Sequence, residues 1–292
     1  MNGKAFNQDK KLISFAILVL IVIILFIFCS CNNTKNKTAN KEVVSPKEQV
    51  EQEQKISITY RLDSIQNDSA LKIFKSTYNA AQQKIIAATN RIDPSRIRVK
   101  SKLVIPDTIL ADFMQYSPFP STLALPDSVT KFIVINQRIQ LFAAYDHGKL
   151  AQFGPISSGR KAKPTPNGLF YTNFKAKKKR STVDGDWIMP WYFNIANHDG
   201  VGMHQYFLPG YPASHSCIRM YEENAKWIYD WADQWQVSAD GSTVLKKGTP
   251  VLVFGTYDFN GISAWKQLPE NPKAIDLTDQ ELSEINDAVT KI

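Results

Sequence analysis

A mostly β domain of the sandwich or barrel type is predicted, with a helix after a cysteine and a small helical region ahead of it. Three observations carry this. From Lys131 onward the chain breaks into short β-branched or aromatic runs separated by turn residues. Only one segment near the cysteine, Glu222 to Gln236, has helical spacing, with Ala225, Ile228, Tyr229 and Ala232 on one face and Glu222 and Glu223 at its start. A final apolar run, Val251 to Phe254, follows Lys247-Gly248-Thr249-Pro250 and reads as a buried closing strand.

The first thirty residues stand apart. Lys4, Lys10 and Lys11 precede an uncharged apolar stretch from Leu12 to Phe28, the layout of an export signal. Cys29, Ser30 and Cys31 follow, and then a polar run. Residues 1–30 are therefore expected to be a signal peptide or a membrane anchor, with lipidation of Cys31 preferred and an uncleaved span as the alternative. Either places the remainder outside the cytoplasm, in the cell envelope facing the periplasm. A Cys29–Cys31 disulfide has poor geometry. Residues 31–56, rich in Lys, Asn, Glu and Gln, suit a solvated tether.

Ser69 to Asn90 is helix-friendly, with Ile73, Tyr78, Ala81, Ile85 and Ile86 recurring at helical spacing before Asp93-Pro94 ends the run. The stretch Ile97 to Pro106, ending Leu-Val-Ile-Pro, resembles the closing half of a LysM-type glycan-binding module, whose opening half is not evident. Residues 57–125 are read as a small α/β region on this basis. Phe132 to Ile135, Ile139 to Tyr145 and Leu150 to Ile156 form a predicted antiparallel meander; Pro164 to Gly168 turns into Leu169-Phe170-Tyr171. The basic run Lys175 to Arg180 is expected as a solvated loop. Trp187, Trp191, Tyr192 and Phe193 are expected in the core, in a lid over a site, or as a sugar-stacking platform. His147 and His198, each beside a turn glycine or Asp-Gly, read as turn residues. Thr278 to Glu281 is a capping box for a terminal helix within a tail, 257–292, expected to pack.

Composition narrows the function. Hydrophobic residues make up 43% of 292, enough for a real core, and 35 Lys and Arg against 27 Asp and Glu leave the chain at +8. A basic exported protein suits an anionic neighbour such as wall polymer or a membrane surface, reached through the N-terminal anchor. No nucleic-acid motif is present, and nothing specifies an oligomer.

The chemistry concentrates in Met203 to Met220, which holds two of the four histidines and, in Cys217, the one cysteine beyond the apolar N-terminus. A thiol attacks as thiolate and needs a base or cation beside it. His215, two positions before Cys217, shares its face if the strand is extended. His204 could be folded back onto the sulfur by a hairpin through Leu208-Pro209-Gly210-Tyr211-Pro212. The rivals are a buried structural cysteine and a zinc site drawn from His198, His204, His215 and Cys217.

His204, Ser214, His215, Cys217, Ile218 and Arg219 resemble the signature of YkuD-type L,D-transpeptidases. The likeness runs from Lys131 to Gly255, through the Thr165 to Gly168 turn, the Leu208 to His215 run and the closing Gly248 to Val251. The resemblance implies a YkuD-like catalytic domain over 130–256 that needs no cofactor. It implies Cys217 as nucleophile, His204 as base, and His215, Arg219, Ser214, Ser216 and Tyr211 around the substrate. The implied reaction joins peptidoglycan stems: Cys217 displaces D-alanine from a tetrapeptide, and a second stem amine resolves the thioester, in wall remodelling that bears on cell shape. Water as acceptor would make it a carboxypeptidase, and loss of activity a wall-binding lipoprotein. Ser216 stands where the family has glycine, which implies either impaired activity or an ordinary backbone there.

Overall fold

The computed structural model describes residues 57–182, 184–197 and 199–292. The export signal or anchor, Cys31, the tether and His198 lie outside the described residues. No helix among the described residues is long and apolar enough to cross a membrane.

The chain opens with strand β1 (Tyr60–Ser64), helices α1 (Asp68–Thr77) and α2 (Ala80–Thr89), and strand β2 (Lys102–Pro106), which pairs antiparallel with β1. The continuous helix expected over Ser69 to Asn90 is thus two helices. Asn79 is the cause: its side chain accepts from the Gln82 amide while Gln82 caps back, a reciprocal box that starts a second helix. Ile65, Phe74, Ile86, Ile97, Leu103 and Ile105 form the core of this βααβ unit. The strand that opens it, β1, is not read from the sequence. β1 escapes a pattern search because four of its five side chains are polar or aromatic and Leu62 stays 60% exposed.

Nine strands make the main sheet: β3 (Lys131–Asn136), β4 (Leu141–Asp146), β5 (Lys149–Ser157), β6 (Gly168–Tyr171), β7 (Lys175–Arg180), β8 (Ile188–Ala196), β9 (Val201–Gln205), β10 (Ile218–Met220) and, after two short strands β11 (Gln236–Val237) and β12 (Val244–Lys246), β13 (Pro250–Phe254). Their order is β6-β13-β3-β4-β5-β10-β9-β8-β7. The fold is mostly β, as expected, and the meander β3-β4-β5 is antiparallel throughout. In β3, alternate side chains serve two cores. Phe132 and Val134 join Trp265, Phe254 and Ile285 on one face; Ile133 and Ile135 join Phe193, Met203, Ile218 and Ile228 on the other. A strand buried on both faces reads as a continuous apolar run, as Phe132 to Ile135 does.

Helix α3 (Glu222–Trp231) ends five residues short of the expected Gln236. Helix α4 (Asp279–Lys291) starts at the anticipated box, with Thr278 accepting from the Glu281 amide. The basic run 175–180 is a strand, not a loop. Its lysines lie over aromatic faces: Lys179 Nζ sits 4.8 Å from the Phe174 ring centre and 5.2 Å from that of Tyr192, and Lys175 packs on Phe193 and Tyr229.

Candidate active site

β9 and β10 are parallel neighbours, with His204 in register with Arg219. The link between them is therefore not the hairpin predicted. A parallel pair cannot be joined by a tight turn, so residues 206–217 loop out and re-enter at the same end. The βααβ unit holds that loop: the Asp93 amide donates to the Leu208 carbonyl at 3.1 Å and the Leu208 amide donates to the Asp93 carboxylate, while beyond β10 Tyr221 Oη donates to the Ile92 carbonyl. Gly210, at φ +91°, lies against Ile92, where an added Cβ would meet Cγ2 at 2.9 Å.

His204 is buried in this frame, 5% exposed. Its Nδ1 lies 2.8 Å from the Gln205 carbonyl. A carbonyl only accepts, so Nδ1 carries the hydrogen and Nε2 keeps a free lone pair. Burial, with the nearby Arg219 charge, pushes its pKa down to about 4 against the opposing pull of the Gln205 carbonyl. The imidazole is thus neutral at neutral pH and able to take a proton at Nε2. Tyr192 stacks on it at 6.4 Å between ring centres.

Cys217 is the one free cysteine among the described residues. Its Sγ lies 3.7 Å from the Gly200 carbonyl, and the Gly202 amide points at the sulfur. Burial raises the thiol pKa, while the Gly202 amide and the charges of Arg219 and Lys179 pull it back. Gly202 has no room for a side chain: a Cβ would meet the Tyr192 ring at 2.7 Å.

Ser216 has φ +77°, so the segment from His215 to Cys217 is not extended. The shared-face argument for the two side chains therefore fails; they meet at one cavity through a left-handed kink instead. Three bonds set the kink: Ser214 Oγ donates to the Cys217 carbonyl, Thr165 Oγ1 donates to the Ser216 carbonyl at 2.8 Å, and the Gly159 amide donates to Thr165 Oγ1 at 2.8 Å. Serine thus adopts the backbone region glycine favours, and the idea of an ordinary backbone there is wrong. A Cβ in that region costs roughly 1–2 kcal/mol, against about 0.5–1 kcal/mol of extra chain entropy for glycine. Ser216→Gly is expected to raise the melting temperature by about 2 °C, measured by calorimetry; a decrease would contradict the strain.

Arg160 Nη2 donates to His215 Nε2 at 2.7 Å, which leaves the ring hydrogen on Nδ1, buried and without a partner. Partial burial, then Arg160, Arg219 and Lys163, lower the His215 pKa. Arg219 is itself buried, with its guanidinium 4.5 Å from the Tyr206 ring centre and 5.4 Å from that of Phe207. Among the described residues no carboxylate pairs with it. A cavity of about 350 Å³ collects Ser214, His215, Cys217, His204 and Arg219, with Trp187 at its wall 5.6 Å from the His215 ring. The side chains of Tyr211 and Ser216 do not line it. No group of three or more metal-ligating side chains that could hold an ion occurs among the described residues.

Sequence reasoning missed Arg160 entirely, read Thr165 only as part of a turn motif and Lys179 only as part of a solvated basic loop, and gave Tyr192 among an aromatic cluster expected in the core, in a lid or as a platform. Each acts from another element.

A thiol at the entry to β10 and a neutral imidazole on the adjoining parallel strand β9, facing a cationic wall, define a β-rich domain built around a cysteine–histidine pocket. Residues 130–253 match the YkuD family, described as the L,D-transpeptidase catalytic domain. Solved structures similar to the chain include an L,D-transpeptidase from Stackebrandtia nassauensis, with 18% identity, 46% of this chain and 60% of that one covered, and TM-score 0.36. L,D-transpeptidase 1 of Mycobacterium tuberculosis gives 21% identity, coverage of 43% and 62%, and TM-score 0.32. An L,D-transpeptidase of Enterococcus faecium gives 22%, 54% and 57%, and 0.34. The match spans about three fifths of each of these proteins. No curated protein matches the chain.

Proposed function

We propose that this protein is a cysteine L,D-transpeptidase of peptidoglycan stem tetrapeptides, exported and held at the membrane through Cys31. The YkuD domain supports a cross-linking role in general. The observation that carries the specific reading is one cavity holding Cys217, a neutral His204 with Nε2 free, and a buried Arg219 that has no counter-ion among the described residues.

In this reading the Cys217 sulfur attacks the carbonyl carbon preceding the terminal D-alanine while its proton passes to His204 Nε2. The amides of Ser216 and Cys217 face the developing oxyanion, a contribution of about 3 kcal/mol per donor by analogy with measured oxyanion holes. His204 returns the proton to the leaving D-alanine amine, and a thioester remains. A stem amine then attacks it, an amide bond forms, the C–S bond breaks and the thiol is restored. Arg219 holds a substrate carboxylate, a task that suits a planar guanidinium.

Purified protein incubated with disaccharide tetrapeptide is expected to yield cross-linked dimer by mass spectrometry, and a carbapenem is expected to add one acyl mass. Tripeptide alone would assign the protein as a hydrolase. Neither product nor adduct from folded protein would leave a wall-binding role.

A further inference from the structure

Of the ionisable side chains lining the cavity, Lys179 and Arg219 are cationic and only Asp199 carries a carboxylate. Asp199 is exposed, and among the described residues nothing pairs with it by ion pair or hydrogen bond. Its place is fixed by the next residue: the Gly200 carbonyl accepts from Tyr192 Oη at 3.0 Å and lies 3.7 Å from the Cys217 sulfur. Gly200 turns the chain at φ +67°, with open space around the position of an added Cβ. Asp199 therefore lines the cavity one residue before the glycine whose carbonyl touches the nucleophile.

The two halves of an acyl transfer want opposite charges. The acyl donor brings carboxylates, which suit Arg219 and Lys179. An acceptor amine arrives at neutral pH as an ammonium, which those cations repel. We infer that Asp199 is the acceptor-side specificity residue, attracting a primary ammonium to the thioester on Cys217 in preference to water. This rests on the proposed function and assigns a residue to the acceptor side, which that reading leaves without one. On binding, the ammonium releases one proton to water and becomes the attacking amine. Its nitrogen bonds the thioester carbon, the C–S bond breaks, and the second proton passes through His204 Nε2 to the departing thiolate.

The test uses the full chain acylated with tetrapeptide and compares two nucleophiles: a stem peptide with a side-chain ammonium, and hydroxylamine, which is uncharged at neutral pH. Asp199→Asn is expected to lower the ratio of ammonium to hydroxylamine aminolysis about fivefold, the size of an exposed ion pair. High salt should shrink the difference, and Asp199→Glu should recover part of the ratio. An unchanged ratio in Asp199→Asn would overturn the assignment of Asp199 alone. Failure of the wild-type protein to acylate at all would overturn the thiol reading together with it.

Discussion

Cys217→Ala is expected to abolish the carbapenem adduct and to lower dimer formation from tetrapeptide by about 10⁴-fold or more, as removal of a nucleophile does in other covalent enzymes. The fold should survive the change, because Cys217 sits in a kink held by Ser214, Thr165 and Gly159 and not by its own sulfur. Unaltered melting temperature with lost adduct is therefore the informative pair of results; retained adduct would place the reactive group elsewhere. The pH dependence has a definite sign. Burial keeps the thiol above its ordinary range and brings His204 down to about 4, so the resting pair is neutral thiol and neutral imidazole. Acylation should fall as pH drops toward that of His204 protonation and rise on the alkaline side, where thiolate accumulates. An alkylation rate already at its plateau at neutral pH would show a thiolate–imidazolium pair instead.

What the sequence revealed of this site was residue type, and what it concealed was direction. Cys217, His204 and Arg219 could be picked out because they crowd into eighteen positions and because few other groups can do their chemistry. That β9 and β10 run parallel could not be read there, since a Pro-Gly turn between them suggests a hairpin and the loop's anchorage on Asp93 lies over a hundred residues away in sequence. Arg160 fixes the tautomer of His215 from 55 positions off. The meander was legible because β3 and β4 are apolar on both faces; β7 was not, because its cations are supported by the rings of Phe174, Tyr192, Phe193 and Tyr229, a partnership no periodicity records. Ser216 shows the same limit from the other side. Its identity argued against a left-handed backbone, and three hydrogen bonds from other residues impose one.

Glu281→Ala is expected to be strongly destabilising although it lies outside the pocket. Glu281, in the first turn of α4, is 5% exposed and its two oxygens are fully engaged. Oε1 accepts from Asn136 Nδ2 at 2.7 Å and from Arg138 Nε at 2.8 Å; Oε2 accepts from Arg138 Nη2 at 2.6 Å and from the Thr278 amide at 2.9 Å. The side chain thus closes the helix cap and ties the tail to the end of β3. Alanine would leave the buried Asn136 amide and the Arg138 Nε–H without their acceptor, the guanidinium keeping only the Ala274 and Asp276 carbonyls, and breaking such a pair from one side costs about 3–5 kcal/mol. A fall in melting temperature of about 10 °C follows for a domain of this size. Burial alone would raise the Glu281 pKa, but Arg138, the Thr278 amide and Asn136 outweigh it and hold the carboxyl below its ordinary range. A lowered folded-state pKa gives stability that is present above the ordinary Glu range and is lost as pH falls through the lowered value. Wild-type protein should therefore lose stability in acid more steeply than Glu281→Gln. Calorimetry across that range checks both claims: a drop of under about 2 °C in Glu281→Ala, or parallel acid profiles, would mean that the tail is held by the apolar contacts of Trp265 and Ile285 and not by this carboxylate.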